Sequence, residues 1–350
     1  MGAELSQIIA AIEDWTIRGA SFGLATVVGV RGSTYRGLAA RQLVSAEGTS
    51  IGTVSGGCLD RDLATVVAEV IASGNPRLIE FDLTADEEAV WGWGIGCNGA
   101  TNLLVEPARG AHVLVEAVRA GSPALLHALD GNALGEHSIV EISDEVWGRE
   151  LAEAAADGRH RLVERGGQRY LLEILTARPS LVVCGAGHDA VPLVKLAAEL
   201  AFDVTVVDER RQFLSRERFP EAAMLIHCAP ADVADRVPLS PGTAVVIMSH
   251  NYLRDVDYLR SVLSRPTAYV GCLGPGERLE RMMKDLEAGG LHLEPSDLAH
   301  VHGPAGLDIG ADGPVEIAWS VLSEILAVKR SRPGISLVDR KGPAALRRLP

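Results

Sequence analysis

The sequence predicts an α/β protein in two parts. These are an N-terminal α/β domain of two related halves, residues 1–178, and a C-terminal Rossmann-like doubly wound parallel sheet, residues 179–330. Three observations carry this prediction. The apolar run Leu181–Cys184 reads as a buried strand that enters Gly185-Ala186-Gly187-His188-Asp189-Ala190, followed by a helix over Val191 to Leu200. In such a Gly-x-Gly-x-x-Ala turn the glycines let backbone approach a pyrophosphate, and the helix N-terminus supplies N–H donors and positive potential. The next apolar run, Val204 to Val207, ends in Asp208, about twenty residues past the turn, where an acid can bond ribose hydroxyls. Finally, residues 111–175 repeat in degenerate form the pattern of the residues before them, the mark of a duplicated layer.

In chain order, Leu5, Ile8, Ile9, Ile12 and Trp15 recur at helical spacing and predict an amphipathic first helix. Phe22 to Val30 is a strand, followed by the polar loop Gly32-Ser33-Thr34-Tyr35-Arg36-Gly37. Arg41 to Ser45 and Thr49 to Val54 flank Glu47-Gly48, a hairpin signal. Ser55-Gly56-Gly57-Cys58-Leu59-Asp60 opens a helix through Ser73, and Arg77 to Asp82 is a strand. A second glycine-rich loop, Trp91-Gly92-Trp93-Gly94-Ile95-Gly96-Cys97-Asn98-Gly99, leads into the strand Thr101 to Glu106.

The repeat then begins. His112 to Arg119 echoes the first helix, Leu125 to Leu129 the first strand, and Asp130-Gly131 with Gly135 the Glu47-Gly48 turn with Gly52. Val146 to Ala156 echoes the helix after Cys58, and Arg161 to Glu164 echoes Arg77 to Glu80. The second copy lacks counterparts of Gly32–Arg36, Gly56–Cys58 and Gly92–Gly99. Those insertions cost order without adding core, so the chemistry of this domain is expected in the first half.

Arg178-Pro179 marks the boundary. Further strands are expected at Met224 to His227, Thr243 to Met248 (ending in Ser249-His250-Asn251) and Ala268 to Val270 (ending in Gly271 to Gly276). The loop His302 to Gly310 precedes a closing helix over Val315 to Arg330, and the basic stretch from Ser331 is expected to be loose. Ligands of open α/β sheets sit beyond the carboxyl ends of the strands. His188, Asp208, His250 and Gly274 all fall at such ends.

At 350 residues the chain can hold two cores, and with 47% hydrophobic but 4% aromatic residues these are built mainly of Ala, Val, Leu and Ile. A net charge of −13 argues against a general binder of nucleic acid or anionic membrane. Apolar runs are of strand length and no basic segment with an apolar core opens the chain, so neither a membrane span nor a secretory signal is expected. The five cysteines, Cys58, Cys97, Cys184, Cys228 and Cys272, are widely spaced and form no CxxC pair. A reduced, cytoplasmic protein is the expectation.

Cys58 and Cys97 each follow glycines in a sharp turn. Each is either a thiolate near backbone N–H donors, usable as a soft-metal ligand or nucleophile, or a small apolar residue beside a turn that needs glycine. Cys184 and Cys228 read as core. Arg36 and Arg41 could grip a phosphate bidentately, with Ser33 and Thr34 adding donors, or stand as solvated arginines. His188, His250 and His302 could assemble a three-histidine metal site, or hydrogen-bond a nucleotide or backbone. Asp308 could contact a ligand or cap the following turn.

These motifs together resemble the XdhC/CoxI group, accessory proteins for molybdenum hydroxylases such as xanthine dehydrogenase. The resemblance runs from the first helix to about Arg330. It rests on Gly32-Ser33-Thr34 with Arg36 and Ala40-Arg41, Gly52-Thr53-Val54-Ser55-Gly56-Gly57-Cys58-Leu59, and Gly94-Ile95-Gly96-Cys97-Asn98-Gly99. In the second domain it rests on Gly185 to Ala190, Val207-Asp208 with Arg210, Ser249-His250-Asn251 and Gly306 to Gly310. It implies a homodimeric protein that binds molybdenum cofactor, in its molybdopterin or dinucleotide form, protects it, and delivers it to an apo molybdenum hydroxylase. A cysteine desulfurase enters where the cofactor is sulfurated before insertion.

On that resemblance, Cys97 suits the soft dithiolene–molybdenum centre, and the glycine turn and arginine loop suit the phosphate or nucleotide. Trp91 and Trp93 could stack on the pterin or pack in the core. This chain has Tyr35 where the family usually has proline, and Asn98 where it usually has glycine. The competing expectations are an NAD(P)-dependent oxidoreductase acting on a small substrate and a regulatory nucleotide-binding protein.

Overall fold

A computed structural model of the chain describes residues 3–82, 98–157, 159–175, 178–294 and 298–339. The chain folds as two compact units, Met1–Ala177 and Arg178–Pro350.

The first unit opens with helix α1 (Ala3–Ile17) and strands β1 (Phe22–Ser33), β2 (Arg41–Ser45) and β3 (Ser50–Gly52). Helix α2 (Asp60–Ser73) and strands β4 (Arg77–Asp82) and β5 (Asn98–Pro107) complete its first half. The second half contains α3 (Ala108–Arg119), β6 (Ala124–Ala128), β7 (His137–Val140), α4 (Gly148–Asp157), β8 (Arg161–Arg165) and β9 (Gln168–Ile174). Both sheets are antiparallel, ordered β3-β2-β1-β5-β4 and β7-β6-β9-β8.

The duplication read from the sequence is visible in that order. Substituting β6, β7, β8 and β9 for β1, β2, β4 and β5 reproduces β2-β1-β5-β4 as β7-β6-β9-β8. One equivalence needs correcting. The Asp130–Gly135 turn joins β6 to β7, so it matches the β1–β2 connection rather than the Glu47-Gly48 hairpin. Among the described residues the second copy has no counterpart of β3, the strand that the hairpin adds at the sheet edge.

Strand alternation explains why β1 is buried on both faces. Leu24 joins Ile8, Ile12, Leu114 and Leu125 under α1 and α3, whereas Ala25 and Val27 join Leu63, Val67 and Val70 under α2. Gly32 and Ser33, expected in a loop, belong to β1 because β5 starts early and pairs them with Gly99 and Asn98. Val28 and Leu104 of the first sheet meet Leu129 and Leu171 of the second half.

A buried ion pair also joins the halves. Arg41 of β2 is bidentate to Glu173 of β9, Nη1 lying 2.7 Å from Oε1, and the two side chains are 3% and 2% exposed. His127 Nε2 donates to Glu173 Oε2 at 2.9 Å. Burial alone would raise the Glu173 carboxyl, but Arg41 and His127 outweigh it and hold it well below the carboxylate range.

The second unit is one six-stranded, wholly parallel sheet. Its strands are β10 (Ser180–Cys184), β11 (Asp203–Asp208), β12 (Met224–His227), β13 (Ala244–Ile247), β14 (Tyr269–Cys272) and β15 (Val301–His302). They lie in the order β12-β11-β10-β13-β14-β15, the 3-2-1-4-5-6 order of dinucleotide-binding sheets. His302, expected in a loop, forms this sixth strand with Val301, and Gly271 is its partner in the register.

The helices are α5 (Ala190–Glu199), the one-turn α6 (Val233–Arg236), α7 (Tyr252–Leu263), α8 (Gly276–Ala288) and α9 (Gly313–Lys329). Leu181 and Val183 face the core of α5 and α9, while Val182 and Cys184 face that of α7 and α8. Two covered faces require an unbroken apolar run, which is what the sequence shows. Cys184, Cys228 and Cys272 are buried, and burial pushes the Cys272 thiol up to about 12.

Arg41→Ala, which strands the Glu173 carboxylate, is expected to cost about 3–5 kcal/mol of unfolding free energy in urea titration. In a double-mutant cycle, Arg41→Met with Glu173→Gln loses less than the two single changes summed, because the removed charges compensate each other.

Candidate functional site

The carboxyl edge of the parallel sheet gathers the expected residues of the second unit. Gly185 leaves β10 at φ +116°, and a Cβ there would lie 2.7 Å from the Met248 carbonyl carbon and oxygen. Only glycine allows this turn to pass so close to the end of β13. Ala186 N–H then donates to Asp208 Oδ2 at 2.7 Å, tying the turn to the end of β11.

Asp208 is 2% exposed. Its Oδ1 accepts from the Arg210 backbone N–H (2.7 Å) and Nε (2.9 Å), and Oδ2 accepts from Arg210 Nη2 (2.8 Å). Burial raises this carboxyl, yet the hydrogen bonds from Arg210 and Ala186 prevail and hold it below its ordinary value. The sequence assigned Asp208 to ribose hydroxyls; the structure gives both its oxygens to Ala186 and Arg210. The Arg210 guanidinium in turn lies 4.3 Å over the Phe213 ring.

The mouth of the turn is polar. His250, in the left-handed region at φ +58°, places Nε2 2.6 Å from Asp189 Oδ2 at the start of α5. The other oxygen, Asp189 Oδ1, is buried without a hydrogen-bond partner. Arg218, which no sequence motif marks, donates from Nη2 to the Gly187 carbonyl at 3.2 Å. His188 is exposed beside it. Further along the edge, Asp208 and His227 are in register at the ends of β11 and β12. There an open groove of about 480 Å³ is lined by Arg211, Leu214, Leu225, Ile226, His227 and Arg236.

The remaining edge residues are held by internal partners. Asn251 Oδ1 accepts from Arg254 N–H at 3.2 Å and caps α7. Asp255, buried, takes Ser249 Oγ at 2.5 Å and Arg278 Nη2 at 2.6 Å. His302 bonds Glu324 Oε1 at 3.2 Å and stacks on Tyr269. Among the described residues His188, His250 and His302 do not gather into a coordination group, so of the two alternatives offered for them the three-histidine one has no support here. Asp308 is exposed on the loop before α9.

The first unit has its own cleft, between Ser33-Thr34-Tyr35 at the end of β1 and the Ser55-Gly56-Gly57-Cys58 turn, with Thr101 behind. Ser55 Oγ organises the turn by accepting from Gly57 N–H (3.1 Å) and Leu59 N–H (3.4 Å), and Gly57 takes φ +99°. Cys58 is thereby presented to solvent, whereas the other described cysteines are buried. The first turn of α2 carries Asp60 and Asp62, which offset the positive potential of the helix end. The cleft therefore offers a soft sulfur and several hydroxyls rather than a cationic hole.

The two arginines expected to grip a phosphate are engaged elsewhere. Arg41 is the buried partner of Glu173, out of reach of any ligand. Arg36 bonds both oxygens of Glu4, and Glu4 Oε1 also accepts from Thr53 N–H at 3.2 Å. A long cation near a glycine loop reads the same in sequence whether its anion is a ligand or a distant carboxylate. Gly96, Cys97, Trp91 and Trp93 lie outside the described residues. Asn98, which follows Cys97, is paired with Ser33 at this cleft.

With both sites described, comparison with known proteins is decisive. Residues 181–325 match the family model described as the XdhC Rossmann domain, and residues 15–82 match that of the XdhC and CoxI family. The chain belongs to the XdhC and CoxI family. It is 29% identical over 322 residues to a probable xanthine dehydrogenase subunit of Bacillus subtilis (strain 168), covering 88% of this chain and 93% of that one. It is 23% identical over 309 residues to the molybdenum cofactor insertion chaperone PaoD of Escherichia coli (strain K12), covering 87% of this chain and 83% of that one. A crystal structure of a xanthine dehydrogenase from Bacillus halodurans superposes with TM-score 0.74 at 27% identity, covering 95% of this chain and 98% of that one.

Within this XdhC-type Rossmann unit, Gly185→Ala is expected to be far more damaging than Gly187→Ala. The first sets a Cβ against backbone at a strained φ, costing at least about 1–3 kcal/mol. The second meets Asp189 Oδ1, the far end of a side chain, at 2.7 Å, with the His250 ring no nearer than 3.6 Å. Thermal melts of the two variants decide this. Asp208 makes an acid-side prediction. Its folded carboxyl is depressed, so its stabilisation is full above the unfolded value of about 3.9 and is lost as pH falls toward the folded value. The stability gap between wild type and Asp208→Asn, followed by urea titration, should therefore narrow as the pH drops below about 4.

Proposed function

We propose that this chain is an accessory protein of a molybdenum hydroxylase such as xanthine dehydrogenase, which binds molybdenum cofactor and hands it to the apo-enzyme. The observation that carries the reading is Cys58, a solvent-facing thiol on a glycine turn beside a hydroxyl-lined cleft, in a family with a relative named as a molybdenum cofactor insertion chaperone. The cofactor offers a soft dithiolene–molybdenum head and an anionic tail. A thiolate suits the head, and Cys97, which directly precedes β5 in the sequence, is the cysteine of the second glycine-rich motif. Hydroxyls of Ser33, Thr34 and Thr101 suit the polar pterin edge.

The residues fit the group in this respect, while Arg41 does not. The molybdenum centre would bring soft-ligand exchange; the chain's part is to hold, shield and release. Nothing in this reading requires a bond to be made or broken in a substrate. In the second unit, taken by itself, the glycine turn with Arg218 behind it and the groove of Arg211, His227 and Arg236 beyond Asp208 suits a phosphate or a nucleotide. It supports an NAD(P)-dependent oxidoreductase less well, because the acid that would hold the ribose is occupied by Ala186 and Arg210. A cytoplasmic homodimer, with a cysteine desulfurase as a second partner, completes the proposal.

The test is to purify the full chain from a host that makes molybdenum cofactor and to measure molybdenum, pterin and nucleotide per chain. Near-stoichiometric molybdenum with pterin is expected, falling at least about tenfold in Cys58→Ala and in Cys97→Ala. Molybdenum absent while NAD(P) co-purifies would overturn the reading, and both variants still loading an apo-hydroxylase would remove the cysteines from it.

A further inference from the structure

A polar cluster in the first unit belongs to neither cleft. His127 of β6 and His137 of β7 are directly opposite each other in the strand register. Their rings stand nearly perpendicular, 89° apart, with centroids separated by 4.9 Å. Each ring uses one nitrogen on a buried carboxylate: His127 Nε2 lies 2.9 Å from Glu173 Oε2, and His137 Nε2 lies 2.7 Å from Glu106 Oε1. An ionised carboxylate only accepts, so in both rings Nε2 is the N–H donor. In the neutral imidazole this leaves Nδ1 with its lone pair bare.

Both Nδ1 atoms are buried and have no hydrogen-bond partner. Orphaned buried acceptors cost about 1–3 kcal/mol each, and two in one buried cluster ask for an occupant. Charge favours a cation over water. Glu173 is balanced by Arg41, but Glu106, 2% exposed, has His137 as its ion-pair partner among the described residues, with no arginine or lysine. Glu106, His127 and His137 each bring a ligand atom within 4.8 Å of the others. Carboxylates that accept the N–H of a histidine, fixing its tautomer and presenting its other nitrogen, are the usual surroundings of a metal-bound imidazole.

We propose that His127 and His137 bind one divalent transition-metal ion of the zinc class through Nδ1, with Glu106 as the neutralising anion and Glu106 and Glu173 fixing the rings. Two imidazole nitrogens are borderline donors that favour such an ion over magnesium or calcium, which take oxygen ligands, and zinc also accepts a carboxylate oxygen. The ion ties β5 of the first sheet to the β6–β7 hairpin of the second, so its role is to clamp the two halves. The loop Gly131–Glu136 between β6 and β7 borders the cluster, and Gly135 is the point of close approach: a Cβ there would sit 3.4 Å from Glu106 Oε1. The proposal stands apart from the cofactor reading, since neither cysteine takes part.

The experiment loads the metal-stripped full chain with cobalt(II) alone. One equivalent should survive gel filtration and give ligand-field bands of a nitrogen- and oxygen-coordinated ion. The proton spectrum should show two solvent-exchangeable, paramagnetically shifted imidazole N–H signals, one per Nε2–H. Zinc should raise the melting temperature of the wild type and of Cys58→Ala, but not of His127→Gln/His137→Gln. Should that double variant fail to fold, the two exchangeable signals in the wild type still decide. No retained cobalt in the wild type, meaning that water meets the two nitrogens, would overturn the proposal. So would equal retention by a folded double variant, or shifted signals without exchangeable imidazole protons.

Discussion

The first unit depends on the Arg41–Glu173 pair. Each residue lies on a different sheet and is almost fully withdrawn from water, and His127 adds a further hydrogen bond to the carboxylate. A lone guanidinium or carboxylate in that position would cost several kcal/mol, so the two halves cannot separate without exposing both. Apolar contact between Val28, Leu104, Leu129 and Leu171 supplies the adhesion. The ion pair supplies the register, because a two-pronged bond tolerates little sliding of one sheet over the other. This is why a residue that sits in a sequence motif beside the cleft is structural.

The second unit solves a related problem with the opposite sign. A glycine turn aimed at an anion needs its N–H groups fixed in space before the anion arrives. Asp208 does this by accepting from Ala186, and Arg210 keeps the carboxylate charged and in place. The acid therefore serves the geometry of the turn, and the polar groups left around the mouth are His188, His250, Arg218 and the basic groove. A fold shared with many nucleotide-binding proteins thus carries a local arrangement of its own.

Much of the architecture was legible in the sequence because it is written in periodicity. The parallel strands announced themselves as apolar runs, and β4, β2 and β12 have the expected limits. Repeat logic also located the halves, since helix–strand spacing survives divergence. What failed was partner assignment. Arg36 and Arg41 were read against nearby glycines, but their anions are Glu4 and Glu173, far away in the chain. Asp208 was rightly placed at a strand end, yet position alone does not say whether its oxygens face a ligand or a backbone N–H. The His127–His137–Glu106 cluster left no trace, since its members are scattered singly among apolar strand residues. Their meeting is a product of sheet pairing across the duplication. Cys58 was the reverse case: glycines before it signalled a tight turn, and the structure adds that Ser55 holds that turn.

The separation between Arg41 and Glu173, 132 residues along the chain, also bears on how the protein is made. In the parallel unit four of the five strand pairs join consecutive strands, and only β13 must reach back past two strands, to β10. In the antiparallel unit β1 cannot close onto β5 until Pro107 has been made, and Arg41 cannot meet Glu173 until nearly all of the unit has left the ribosome. Until then β1, with its run of buried apolar residues, is a bare edge facing water or a holdase. During its own translation the protein is thus in need of shelter for one long strand.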